Sequence, residues 1–217
     1  PFDSSKRLNL LVTDSSTKYT SRSSEEYKKI AETTSKIINS VSGNSIVFFP
    51  SFEILNQVVG HISTMKKTLI QTEAQTTKDF ENMINDFKKL SKNFGGVLYA
   101  VMGGKASEGI DLPGDYLKCA VIVGIPLSVM SLEMKYKIDY YQQKYNNGWL
   151  YAYIQPAIQK VIQSAGRVIR TDSDRGAIVF VDKRYLWDNY RRCFPKDLRL
   201  KISRDVSKEI YDFFIDI

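Results

Sequence analysis

Four unbroken apolar runs constrain this chain more than anything else in it: SIVFF at 45–49, GVLYAVM at 96–102, CAVIVG at 119–124 and AIVFV at 177–181. A strand with one wet face alternates apolar and polar residues, so a strand with no polar face must be covered on both sides. Between the runs lie stretches of helical periodicity. This alternation predicts an α/β fold: a mostly parallel sheet with helices on both faces. LNLLVT at 8–13 reads as a further strand and 68–71 as a short one, for five or six in all. The helices are expected at 24–40, 52–60, 78–90, 131–145, 153–170 and 203–215. In the first, Ser23 or Ser24 is the N-cap and Tyr27, Ile30, Ala31, Ile37 and Ile38 face inward. In the third, Phe80, Met83, Ile84 and Phe87 recur at helical spacing. The fourth places Tyr136 and Tyr140 on a possible core face, with Tyr141, Tyr145, Trp149 and Tyr151 nearby. Packing is the simpler account of these rings, and base stacking the alternative.

With 217 residues, 43% hydrophobic and 25% charged, residues 1–217 suit one domain with a full core. The longest apolar run, 119–127, fits a strand and falls short of the roughly 20 residues of a membrane span. No charged-then-apolar leader opens the chain, so nothing in it points to secretion. Pro1 stands where an initiator methionine would, as expected of a piece of a longer protein. Cys119 and Cys193 are far apart, with no CxxC or Cys/His spacing, and read as reduced thiols of a cytoplasmic or, in a eukaryote, nuclear protein. The single histidine, His61, receives no role. A net charge of +7 and a pI near 9.2 favour a polyanionic partner without distinguishing DNA, RNA or nucleotide.

Loops of a parallel sheet gather at the carboxyl ends of its strands, where ligands of open α/β sheets bind. Three segments are expected there. In FFPS (48–51), Pro50 ends the strand and Ser51 caps the next helix, whose free amides form an anion site; a plain strand–helix junction reads the same way. In GGKASEGID (103–111), glycines permit close backbone approach among Lys105, Ser107, Glu108 and Asp111. It lacks the GK[ST] of a phosphate-binding P-loop, and a surface turn would look similar. In QSAGRVIR (163–170), Gln163, Arg167 and Arg170 stand at i, i+4 and i+7 of a helix, on one face. Two arginines and a glutamine there suit phosphate, or a solvated face. Gly166 costs a helix interior about 1 kcal/mol against alanine and asks for a reason such as close packing.

Taken together, FFPS, GGKASEGIDLPGD and QSAGRVIR followed by GAIVFVDKRY resemble motifs IV, V and VI of superfamily 2 helicases, and among these the XPD and DinG branch. The FFPS form favours XPD, and LNLLVTDSSTKYTSR resembles the entry to the same domain. The likeness runs from about Asn9 to Tyr185, and an archaeal source would suit it. It implies a RecA-like second motor domain of an ATP-dependent 5′–3′ DNA helicase in repair, including nucleotide excision repair. By that resemblance Arg170 is the arginine finger, with Arg167 beside it and Gln163 contacting nucleotide or water. Gly104, Glu108, Gly109, Asp111 and Gly166 couple the nucleotide site to the DNA track. Ser51, Lys105 and Arg22 hold phosphates of single-stranded DNA. ATP and Mg2+ would lie in the cleft with an N-terminal motor domain, which also carries the iron–sulfur cluster of the parent protein. The fragment, without those parts, is expected to be inactive alone. Repair or transcription-factor subunits are further partners by resemblance, and no membrane is implied. A nucleic-acid-binding module without turnover, or a partner-recruiting module, is the alternative.

Overall fold

The computed structural model describes residues 4–215 apart from 109–111, 170, 172 and 173, and leaves the side chains of Ser4, Ser107 and Glu108 undescribed. In chain order it runs β1 (Arg7–Val12), α1 (Ser24–Asn39), β2 (Ser45–Phe49), α2 (Phe52–Val59), β3 (Lys67–Ile70), α3 (Thr77–Leu90), β4 (Gly96–Val101) and α4 (Lys105–Glu108). It continues with β5 (Cys119–Val123), α5 (Leu132–Tyr145), α6 (Gln155–Ala165), β6 (Gly176–Val181), α7 (Asp188–Arg191), β7 (Lys201–Ile202) and α8 (Val206–Ile215). The strands form one sheet in the order β3-β4-β2-β5-β6-β1-β7, parallel at every pairing.

Strand alternation divides the core. Ile46 and Phe48 of β2 point to the face covered by α3 and α6, where they join Phe80, Phe87 and Ile158. Val47 and Phe49 point to the other face, against Ile30 and Ile37 of α1 and Ile54 of α2. All five residues of β2 are therefore buried, as their composition requires. Ser23 caps α1, its Oγ accepting from Glu26 N at 3.1 Å.

The structure departs from the sequence reading in four ways. The sheet has seven strands, because Lys201–Ile202 pairs with β1 over a stretch too short to show periodicity. The C-terminal helix begins at Val206, not 203. The helix expected at 153–170 starts from a π-helical turn at Leu150–Ile154 and ends at Ala165. A fourth difference concerns the tyrosines: α5 buries no residue, and Tyr136 and Tyr140 are 66% and 56% exposed. The core face they were expected to share does not exist, because α6 already covers β5 and α5 rests on the π-helical turn outside it.

Candidate functional site

Parallel pairing puts the ends of β1, β2, β4, β5 and β6 along one edge. At β2, Ser51 caps α2, its Oγ accepting from Ile54 N at 3.3 Å. Beside it β4 runs on: Met102 N donates to Phe49 O at 2.9 Å. The chain then turns through Gly103, whose φ of 74° favours glycine and where a Cβ would lie 3.1 Å from Lys160 Cδ of α6. Gly104 is partly buried, and its Cβ would sit 3.2 Å from Val101 Cγ2. Lys105 is exposed and donates from Nζ to Gln75 O at 2.7 Å. Arg22 comes from the loop after β1, its NH1 donating to both Glu53 oxygens at 3.2 and 3.1 Å. Because Glu53 opens α2 two residues after Ser51, Arg22, Ser51, Gly104 and Lys105 share this carboxyl edge. The Arg22–Glu53 pair is open to water on the Glu53 side and worth little energetically, so Arg22 can exchange that carboxylate for another anion.

The third motif lies elsewhere. It feeds β6, so it approaches the opposite, amino edge. Gln163 is exposed on the last turn of α6, and Gly166 follows as C-cap (φ −67°, ψ 0°), its N donating to Ile162 O at 2.8 Å. Arg167 is partly buried in the turn, its N donating to Ser164 O at 3.3 Å. The expected i, i+4, i+7 face therefore breaks after Gln163. Gly166 ends the helix and does not admit a close neighbour: a Cβ there would meet only Ile162 O and Gln163 O of its own helix. Val161, Val168 and Ile169 are buried in the core, and Ile162 packs against it partly buried. Asp174 fixes the turn at the amino edge: its Oδ2 accepts from Thr171 N at 2.8 Å and its Oδ1 from Gly114 N at 3.0 Å. Next to it Ala177 N donates to Lys118 O at 2.9 Å, just before β5 begins.

Met102 thus stands at the carboxyl edge and Gly114 at the amino edge beside Asp174, and α4, between them in the sequence, packs on α6. Glu108 closes α4 with its side chain undescribed, and Gly109, Asp111 and Arg170 lie outside the described residues. The sequence reading gathered all three motifs at one edge. The structure divides them between two and joins them by the glycine-rich segment.

A further cluster stands at the ends of β1, β5 and β6. Asp182 Oδ2 accepts from Thr17 N at 2.8 Å and from Arg184 NH2 at 2.7 Å, while Oδ1 accepts from Ser16 Oγ at 3.1 Å and Arg184 Nε at 3.0 Å. Tyr185 OH donates to Gly124 O. Burial works to lower the pKa of the Arg184 guanidinium, but the hydrogen bonds and charge of Asp182 outweigh it and hold the value above the ordinary one. The sequence signal is the DKRY that ends GAIVFVDKRY, which enters the helicase resemblance with no chemistry assigned to it.

No helix of the described residues is long and apolar enough to cross a membrane, and among them no group of three or more His, Cys, Asp or Glu is placed to hold a metal. Residues 34–201 match the family model of the helicase C-terminal domain. ATP-dependent DNA helicase DDX11 of Danio rerio is 29% identical over 187 residues, which are 76% of this chain and 21% of that protein. The general transcription and DNA repair factor IIH helicase subunit XPD of Dictyostelium discoideum is 31% identical over 153 residues, 64% of this chain and 19% of its own. The chain thus spans about a fifth of the length of these relatives. A solved structure described as XPD_APO superposes with a TM-score of 0.73 at 25% identity, covering 91% of this chain and 40% of that one. The C-terminal domain of the DEAD-box protein Dbp5 has the same RecA-like fold, with a TM-score of 0.55 at 16% identity over 97% of this chain and 99% of its own.

Proposed function

Because the chain belongs to the helicase C-terminal domain family, on its XPD-like branch, we propose that it is the second motor domain of an ATP-dependent 5′–3′ DNA helicase acting in repair. One observation carries this reading. Two sets of candidate residues occupy opposite ends of one sheet, and the 102–118 segment runs from one to the other. Such a layout suits a domain that reads nucleotide at one end and moves DNA at the other.

Arg170 is the arginine finger, with Arg167 of the amino-edge turn acting alongside it and Gln163 reaching nucleotide or water from the end of α6. A planar guanidinium aimed at the transferred phosphoryl group stabilises charge spread over its oxygens and is worth roughly 10³–10⁵ in rate. At the carboxyl edge, Ser51, Lys105 and Arg22 hold DNA phosphates. Gly104, Glu108, Gly109 and Asp111 transmit nucleotide state between the ends, and Gly166 frees the motif VI turn by ending α6 ahead of Arg167.

ATP is held chiefly by the N-terminal motor domain, since QSAGRVIR supplies donors for a phosphate edge and no phosphate-wrapping loop. The ligands of the cleft Mg2+ and of the iron–sulfur cluster are assigned to the N-terminal motor domain, and among the described residues no group of three or more metal-ligating side chains stands together. Of the two cysteines, the Cys119 thiol is pushed up to about 12 by burial. Both groups belong to the rest of the protein. Single-stranded DNA and the N-terminal motor domain are the partners, with repair or transcription-factor subunits beyond them.

The test is ATP hydrolysis by this chain and by its full-length parent, with and without single-stranded DNA. The chain alone is expected to be silent and the parent to be stimulated by DNA. Arg170→Ala in the parent should abolish that stimulation and leave the Tm unchanged. Turnover by the isolated chain, or an Arg170→Ala parent within about twofold of wild type, would overturn the assignment.

A further inference from the structure

Charge is unevenly spread along this chain. Residues 191–201 hold five cations, Arg191, Arg192, Lys196, Arg199 and Lys201, against the single carboxylate of Asp197, a net +4 of the chain's +7. Asp197 does not neutralise them, because it turns to Arg7, 3.7 Å away. Lys201 pairs with Glu209 at 2.6 Å. Among the described residues, Arg191, Arg192, Lys196 and Arg199 form no salt bridge, and all four are exposed.

These four cations line a recess of about 540 Å³ together with the aliphatic side chains of Leu11, Leu198, Leu200 and Ile202. Cations among aliphatic side chains match a ligand that carries both carboxylates or phosphates and apolar groups. Two features favour a polypeptide over a nucleic acid. The aromatic rings at the recess are already committed: Tyr185 and Phe194 pack edge-on against Phe180 and each other, with centroids 5.4–5.7 Å apart. Bases therefore find no free ring on which to stack. The recess also includes Ile202 of β7, the last strand of the sheet, whose Lys201 and Ile202 are exposed and whose outer edge has no strand beside it among the described residues. An open strand edge is satisfied by another extended polypeptide.

We propose that this recess is a docking site for an extended acidic peptide segment whose apolar side chains pack on Leu11, Leu198, Leu200 and Ile202 while its carboxylates meet Arg191, Arg192, Lys196 and Arg199. The site lies outside the helicase motifs and does not depend on nucleotide or DNA binding. Specificity comes from the combination. Charge steers the segment in and is sensitive to salt, whereas the aliphatic side chains set how long it stays.

The experiment is fluorescence anisotropy of a fluorescein-labelled peptide of alternating Glu and Leu, titrated with the chain at low and physiological salt. Two control peptides replace Leu by Ser or Glu by Gln. The Glu/Leu peptide should bind, and both controls should bind at least about tenfold more weakly. Arg192→Glu with Arg199→Glu should weaken it about tenfold or more, and Ile202→Gln should weaken it severalfold with Tm unchanged. Because Arg192, Arg199 and Ile202 are all exposed, these variants should keep the fold. Equal binding of the Glu/Ser peptide would reduce the site to a basic patch and overturn the proposal. So would oligothymidylate binding that falls with the charge reversals while peptide binding does not, since the surface would then serve nucleic acid.

Discussion

The guanidinium of Arg184 folds back onto the carboxylate of Asp182, Nε to Oδ1 at 3.0 Å and NH2 to Oδ2 at 2.7 Å, with the two side chains 5% and 0% exposed. The same NH2 reaches Thr17 Oγ1 at 2.6 Å, so the end of β6 grips the loop that follows β1. That loop continues to Arg22, which ties the placement of a proposed phosphate contact to a buried ion pair. Removing one partner leaves a buried charge alone, a loss of about 3–5 kcal/mol. Arg184→Ala or Asp182→Ala should therefore lower the Tm by roughly 10 °C at this chain length. Lys137→Ala, which removes an exposed pair with Glu133, should leave it in place. Thermal unfolding followed by circular dichroism measures all three, and an Arg184→Ala Tm within about 2 °C of wild type would remove the latch.

Gly124 belongs to the same junction. Its φ of 68° disfavours any L side chain, and a Cβ there would lie 2.2 Å from Thr17 Oγ1. Gly124→Ala should cost about 1–2 kcal/mol for the backbone alone, plus the cost of displacing Thr17 from Asp182. In a Thr17→Gly background only the backbone part should remain. Denaturant titration of the four chains forms a double-mutant cycle, and strict additivity would mean that Thr17 and Gly124 do not meet.

The sequence made the sheet legible because its central strands β2, β4, β5 and β6 are almost wholly apolar. SIVFF and CAVIV are buried at every position, so composition alone implied two covering layers. It also made family membership legible, because FFPS, GGKASEGIDLPGD and QSAGRVIR occur together and in that order. What it could not show was where each motif stands. QSAGRVIR has helical spacing throughout, and only the Gly166 cap and the Asp174–Gly114 bond reveal that the helix stops and the chain turns at the amino edge. Strand β7 was illegible for a different reason: two residues carry no period. The tyrosines of α5 misled, since helical spacing reports a shared face without reporting whether anything covers it.

Unlike Asp182 and Arg184, those tyrosines should be dispensable for stability. Tyr136 and Tyr140 are exposed on a helix that buries nothing, and Lys144 sits over the Tyr140 and Tyr145 rings at 5.6 and 5.4 Å. Tyr136→Ala with Tyr140→Ala should move the Tm by less than about 2 °C, since surface substitutions stay within roughly 0.5 kcal/mol. Truncating a buried ring such as Phe87 should cost about 3–5 kcal/mol. A large loss from the tyrosine pair would return α5 to the core.

The last prediction concerns alkaline pH. Cys119 opens β5, between β2 and β6, and burial pushes its thiol from 9.0 up to about 12. In the unfolded chain the thiol loses its proton near 9 while the folded chain keeps it, so between these values the folded state binds more protons. Stability from this group is therefore complete below pH 9 and is lost as pH rises toward 12, in total on the order of a few kcal/mol. Tyr99, pushed by burial from 10.0 to about 12, acts in the same direction from a higher starting point. Lys66 acts against both: desolvation lowers its pKa from 10.5 to about 8, so its contribution grows with pH across that window. Subtracting the stability of Cys119→Ala from that of wild type cancels the tyrosine and most of the lysine, leaving the thiol together with its own charge coupling to Lys66. The difference, measured by urea denaturation, should be level below pH 9 and fall steadily above it. A difference that stays level to pH 11 would show that the thiol ionises in the folded chain as easily as in the unfolded one.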